Sequence, residues 1–364
     1  MTSVFLTGFP GFLGSELIER LLTRYSQDVR INCLIQARFR ELAERRVTAL
    51  GLQEPGWKDR VCLVEGDITA PDLGLGGDYD GLAQETFEIY HLAAAYDLAV
   101  PRELGMRINV DGTRNMLAFA QKCGGALRRF QYVSTCYVSG RHKGTFTEHD
   151  LVCGQVFNNY YEETKYLAEV DVQQQMRQGL PATIYRPAVV VGDSRTGSTQ
   201  KYDGPYYLIQ WMLRYPKLAL IPVIGDTVWH EVNLVPRDFV IDALDYLSSR
   251  EDSEGKVYQL CDPHPLTVDL IIKRLERETS AHVVRVPAPL GLTKRALKLG
   301  PVYSWTRIEA ETIDYFMHPT HYTCDNVLHD LAGSGIACPP LTEYLGNLIR
   351  FMRAHPEVSP HAMI

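Results

Sequence analysis

The chain has 364 residues, 45% of them hydrophobic, enough for a buried core and for two structural units. A net charge of −7 without a long Lys/Arg run argues against a nucleic-acid partner. No apolar run reaches the roughly 18 residues of a membrane span. The opening MTSVFLTGFPG makes a poor signal peptide, and the eight cysteines form no C-x-x-C pair, which argues against zinc and dithiol chemistry. Scattered free thiols fit a cytoplasmic location.

Taken in chain order, short apolar runs alternate with amphipathic ones. Strands are predicted at 3–8, 31–36, 60–66, 87–93, 130–135 and 182–187. Helices are predicted at 12–25, where Leu13, Leu17, Ile18, Leu21 and Leu22 recur at helical spacing, and at 106–123 and 159–176. Strands alternating with helices imply an α/β Rossmann-type doubly wound parallel sheet. After Pro187 the rhythm changes to a Gly-, Tyr- and Pro-rich stretch. Strand–helix units return at 232–249 and 256–260, and the rest reads as mostly helical. The expected division is a dinucleotide domain of 1–191 plus 232–261. A smaller interleaved substrate region then takes 192–231 plus 262–364.

The first strand–helix junction, FLTGFPGFLGSEL, carries Gly8, Gly11 and Gly14. The first glycine allows a tight turn, the second lets backbone approach a pyrophosphate, and the third permits close helix–strand packing. The helix N-terminus adds free N–H groups and a positive dipole end. Thr7, Phe12 and Leu13 belong to the same turn. The G-x-x-G-x-x-G spacing resembles the extended branch of the short-chain dehydrogenase/reductase superfamily. The second strand ends in LIQARFR, with Gln36 where an NAD site usually has Asp or Glu. Arg38 could clamp a 2′-phosphate there, so NADP(H) is favoured and NAD(H) stays as the second cofactor. From the resemblance, Asp67 and Ile68 of GDIT should flank the adenine. Ala93 and Ala94 of HLAA should let the dinucleotide lie close, and Pro187 and Val190 should also face it. His91 reads as a satisfied strand-end histidine.

One copy of Y-x-x-x-K among 20 tyrosines is close to a chance occurrence. In NNYYEETKYLAEV, however, Tyr161 and Lys165 stand four residues apart and share a helix face. Tyr160 points about 100° away. An ammonium near a phenol favours phenolate and lowers its pKa, which would suit Tyr161 as a proton donor and Lys165 as its partner and ribose ligand. In extended members a Ser or Thr five residues before a closing Gly bonds the substrate oxygen. Here that is Thr135, counted from Gly140. Asn109 of INVDGT resembles the residue supporting a proton relay behind the lysine.

The finer resemblance is to the fatty acyl-CoA reductase, carboxylic acid reductase and thioester reductase group. It is carried by TGFPGFLG, GDITAPDLGL, IYHLAAAYDL, IYRPAVVVGDSRTG, KYDGPYYLIQ and VNLVPRDFVIDALDYL. It implies an NADPH-dependent reductase of an acyl thioester or fatty aldehyde, with Tyr96, Cys136 and Tyr137 lining the substrate pocket. A nucleotide-sugar epimerase or dehydratase with bound NAD is the alternative on the same fold, and a non-enzymatic NADP-binding protein is the other. Dehydratases of that type place Asp-Glu after the Thr, where this chain has Cys136 and Tyr137. The stretch 287–305 reads as a lid or core helix in preference to a peripheral membrane contact. Long helices at 101–123 and 158–178 are candidates for a homodimer face.

Overall fold

The computed structural model describes residues 2–300, 302, 306 and 310–359. Seven strands make one parallel sheet: β1 (Ser3–Thr7), β2 (Arg30–Ile35), β3 (Val61–Glu65), β4 (Thr86–His91), β5 (Arg129–Val133), β6 (Ala182–Pro187) and β7 (Val257–Leu260). Their order is β7-β6-β5-β4-β1-β2-β3. The sheet is covered on both faces, so its central strands read as unbroken buried runs. All five residues of β1 and all six of β6 are buried. That is why these strands lack a polar/apolar alternation.

Helices α1 (Phe12–Arg24), α2 (Arg40–Gln53), α3 (Tyr79–Glu85), α4 (Arg102–Gly105), α5 (Gly112–Cys123) and α6 (Tyr160–Arg177) follow in order. Further on come α7 (Pro205–Arg214), α8 (Arg237–Ser248) and α9 (Val268–Thr279). On one face, Leu17, Ile18 and Leu21 of α1 share a core with Val240, Leu244 and Leu247 of α8. On the other, Met116 and Phe119 of α5 and Ala168 and Val172 of α6 pack over Phe5, Ile89 and Phe130. A third apolar cluster joins Tyr206 and Ile209 of α7, Ile271 and Leu275 of α9, and Leu345 and Leu348 of the helix Leu341–Ala354.

The strand order reverses between β1 and β4. Thr7 pairs with Leu34 on one side and with His91 on the other. Chain leaving the carboxyl ends of β1 and β4 must diverge to opposite faces, which opens the crevice where ligands bind in such sheets. The predicted helix at 106–123 begins earlier, at α4, and passes through a π-helical turn, Met106–Asp111, before α5. Such turns re-aim side chains and occur often at functional sites; this one carries Asn109.

The C-terminal part is helical for much of its length, with short strands that the sequence did not signal. Val283–Pro287 pairs in parallel with Ala219–Val223, and Thr320–Tyr322 with Gly144–Phe146. In the predicted lid or core stretch, a helix spans Leu290–Leu297, and Leu297 is its buried residue. Leu292 is 63% exposed, while Leu297 is buried in an apolar cluster with Ile224, Ala310 and Ile313 and Leu290 packs against it, so one face of this helix is core and the other is open. Residues 301 and 303–305 of the stretch lie outside the described residues. Among the described residues no helix is long and apolar enough to cross a membrane. All eight cysteines are free thiols.

Candidate active site

Gly8 closes β1 with φ +93°, and a Cβ there would lie 2.9 Å from the backbone carbon of Leu92. Cβ atoms on Gly11 and Gly14 would stand 2.7 and 2.6 Å from the Gly8 carbonyl oxygen. The glycine spacing is therefore required by the turn itself, because each side chain would strike backbone. The Gly11 amide donates to that carbonyl at 2.8 Å, and the chain enters α1 without an acid in its first turn. An anion at this helix end meets unused N–H groups and a favourable dipole.

The loop is one wall of a cavity of about 400 Å³. The cavity runs past Gln36 and Arg38 after β2, Asp67 and Ile68 after β3, and Ala93 and Ala94 after β4. Beyond Thr135, Tyr161 and Lys165 it reaches Lys201, Tyr207, Tyr315 and Phe316 of the C-terminal part. This donor set fits a dinucleotide. Amide donors lie at the helix end, a guanidinium and a carboxylate lie near the tips of β2 and β3, and small residues stand where a flat ring system must pass. At the β2 end, the Arg38 guanidinium donates to Gln36 Oε1 at 2.5 and 2.8 Å, and Gln36 Nε2 donates to Asp67 Oδ2 at 3.1 Å.

At the chemical centre, α6 starts at Tyr160, capped by Asn159, whose side chain accepts from the Glu162 amide. This start aims Tyr161 into the cavity and leaves Tyr160 48% exposed outside it. Burial pushes the Tyr161 phenol up to about 12, against the opposing pull of the neighbouring Thr135 hydroxyl. Tyr161 is therefore a neutral phenol, a proton held and ready to give. Lys165, expected to set this pKa, is not among the groups that shift it. The Lys165 ammonium spends its bonds on Tyr132 Oη at 2.9 Å and the Val133 carbonyl at 2.8 Å. Burial lowers Lys165 to about 7, with Glu169 pulling the other way. Ser134, the neighbour of Thr135, donates to Glu169 Oε2 at 2.5 Å. Glu169 itself is locked by Arg186, a pair with no exposed surface on either side chain. Such a pair contributes little net stability but is costly to break from one side.

A model of the NAD-binding family described as "Male sterility protein" matches residues 6–244. The chain belongs to that family. Over 75% of its length it is 30% identical to a glycine betaine reductase of Emericella nidulans, of which it covers 22%. The chain spans about a quarter, or less, of the length of the curated relatives it matches. The terminal R domain of the myxalamid PKS-NRPS pathway superposes with a TM-score of 0.81 at 26% identity, over 99% of this chain and 93% of that one. A UDP-glucuronic acid 4-epimerase of Bacillus cereus shares the fold at 19% identity and a TM-score of 0.67, over 100% of this chain and 99% of that one. The chain's seven-stranded parallel sheet with flanking helices matches the fold of the myxalamid R domain.

Within this family member, the cavity gathers Thr7, Gly8, Gly11, Phe12, Leu13, Gly14, Gln36, Arg38, Asp67, Ile68, Ala93, Ala94, Pro187 and Val190. Tyr96 and Tyr137 also line it. Cys136, expected beside them, does not. It follows Thr135 into a 3₁₀ turn, and its thiol donates to the Arg186 carbonyl at 3.0 Å within the core. Asn109 is also set back from the cavity wall. Its side chain accepts from the Ala95 amide at 2.8 Å and donates to the Ala95 carbonyl and Thr164 Oγ1, both at 3.0 Å. It ties the chain after β4 to α6. Sequence reasoning missed Lys201, Tyr207, Tyr315 and Phe316. The KYDGPYY motif was a signal for the first two. No local pattern marks the others, which reach the cavity only through packing of the C-terminal part.

Proposed function

We propose that the protein is an NADPH-dependent reductase that delivers hydride to the carbonyl of a fatty aldehyde or acyl thioester, with Tyr161 as proton donor. The observation that carries this reading is the Tyr161 phenol facing one cavity together with Thr135, Lys165 and the glycine loop. The bound cofactor would supply the hydride. Thr135 and Tyr161 then hold the carbonyl oxygen and favour the charge that develops on it. Tyr161 gives its proton to an aldehyde-derived alkoxide, which leaves as alcohol. From a thioester, the hemithioacetal collapses to aldehyde and free thiol. Lys165 holds the nicotinamide ribose, and Tyr96, Tyr137, Tyr207 and Phe316 form an aromatic wall suited to an acyl chain. The sugar epimerase with tightly held NAD is the reading this one displaces. The reading is supported by Gln36 and Arg38 standing where a ribose-binding acid would serve NAD. The proposed division of labour follows the chain: 1–191 plus 232–261 for the cofactor, 192–231 plus 262–364 for the substrate.

The test is a screen of C8–C16 aldehydes and acyl-CoAs with NADPH and NADH, followed by loss of nicotinamide absorbance. Turnover with NADPH and either substrate class is expected. Turnover of a UDP- or GDP-sugar with neither class reduced would overturn the proposal. Arg38→Ala should raise KM for NADPH about tenfold more than for NADH, the scale of one charge-assisted hydrogen bond. Equal changes with both cofactors would remove Arg38 from the 2′-phosphate.

A further inference from the structure

Buried polar groups stand behind Lys165, and their proton directions follow from Thr113. Thr113 donates its one proton to the Asn109 carbonyl at 2.6 Å, an acceptor only. It therefore accepts from His91 Nε2, 3.1 Å away. Burial and the Lys165 charge hold His91 down at about 3, so the imidazole is neutral. Its Nδ1 then accepts from Thr7 Oγ1 at 2.7 Å, while Thr7 accepts from the Ala93 amide at 3.2 Å. The Tyr132 ring lies 5.7 Å from the imidazole, and its oxygen accepts from the Lys165 ammonium at 2.9 Å.

Two of the three Lys165 N–H bonds are thus directed backward, to Tyr132 and to the Val133 carbonyl. The third remains for the cavity that Lys165 lines. The Tyr132 ring adds a face 4.4 Å from the ammonium nitrogen. We infer that Tyr132, its ring packed beside the His91 imidazole, is the positioning residue that holds Lys165 and leaves it one N–H for the cofactor. The inference rests on the role of Lys165 given under Proposed function. It also assigns a use to His91 and relocates the support behind the lysine. Side-chain support comes from Tyr132, whereas the Asn109 side chain is committed to Ala95 and Thr164.

Tyr132→Phe keeps the ring and removes one acceptor from the ammonium. The other charged or titratable groups around Lys165 stay in place: Glu169 with its partner Arg186, Tyr161, and His91. Losing a hydrogen bond to a charged group disfavours the ammonium. The alkaline limb of kcat/KM for aldehyde should therefore move about one pH unit lower. The dissociation constant for NADPH, read from its fluorescence, should rise about tenfold. A Tyr132→Phe profile and NADPH affinity superimposable on the parent would overturn the inference. The binding readout needs no substrate. A parent protein that binds NADPH with these shifts yet reduces no carbonyl would overturn the proposed reaction and leave this inference supported.

Discussion

Tyr161→Phe should lower kcat for aldehyde reduction by about 10²- to 10⁴-fold, the range for removing a positioned acid, while NADPH still binds. Tyr160→Phe should stay within about twofold of the parent. The two tyrosines are neighbours in sequence, so any effect on helix α6 as a helix is shared by both variants. Their surroundings differ. Tyr161 faces the cavity that Thr135 also lines. The Tyr160 ring is half in solvent, and its carbonyl serves the helix by accepting from Thr164. Phenylalanine keeps the ring of Tyr161 and removes only the transferable proton, so the loss should fall on kcat. Equal losses in the two variants would mean that the helix register at the site is wrong.

Glu162→Gln should flatten the stability profile between pH 4.5 and 7. Glu162 sits beside Tyr161 in the first turn of α6, buried, accepting from the Asn158 amide at 2.8 Å and from its side chain. Burial pushes its carboxyl up to about 7 from an ordinary 4.5, against the Asn158 bonds and the Tyr315 hydroxyl. Between those pH values the folded protein keeps a proton that the unfolded chain releases. Stability contributed by this group is therefore full below pH 4.5 and falls as pH rises toward 7. The ceiling of the effect is about 3 kcal/mol. Lys165, lowered from 10.5 to about 7, acts in the next window with the opposite slope, gaining stability as pH rises from 7 toward 10.5. Comparing urea unfolding of parent and Glu162→Gln at pH 5 and pH 7 isolates the carboxyl. The parent should lose about 2–3 kcal/mol relative to the variant across that interval. Parallel profiles would mean that Glu162 ionises normally.

The parts of the site that could be read from the sequence are those where a local rule has one solution. Gly8 had to be glycine because its φ is +93° and a Cβ would strike Leu92, and Gly11 and Gly14 because the turn folds back on the Gly8 carbonyl. The central strands were legible because a sheet covered on both faces leaves long apolar runs. The Tyr161–Lys165 register followed from helix geometry alone. Direction within a turn was harder. Cys136 is adjacent to Thr135 in sequence, but the 3₁₀ turn after β5 sends its thiol to the Arg186 carbonyl and not to the cavity. Partners far apart in sequence were hidden. Thr7, His91 and Thr113, bonded in turn, and Tyr132 beside His91 draw on β1, β4, α5 and β5, and no local pattern marks them. Arg186 in the otherwise apolar ATIYRP did carry a signal, because a charge within a buried strand requires a counter-charge. Glu169, one turn after Lys165, is that partner. Tyr315 and Phe316 depended on how the C-terminal part closes over the sheet edge, a long-range packing outcome.

The central claim is that hydride passes to a carbonyl carbon held by Tyr161 and Thr135, and isotope transfer tests it most directly. The protein is incubated with a long-chain aldehyde and NADPH bearing deuterium at both C4 positions, and the product is read by mass spectrometry. One deuterium on the carbinol carbon of the alcohol is predicted, with no transfer by Tyr161→Phe on the same time scale. An unlabelled aldehyde recovered intact, from protein that binds NADPH and converts a nucleotide sugar, would contradict the account.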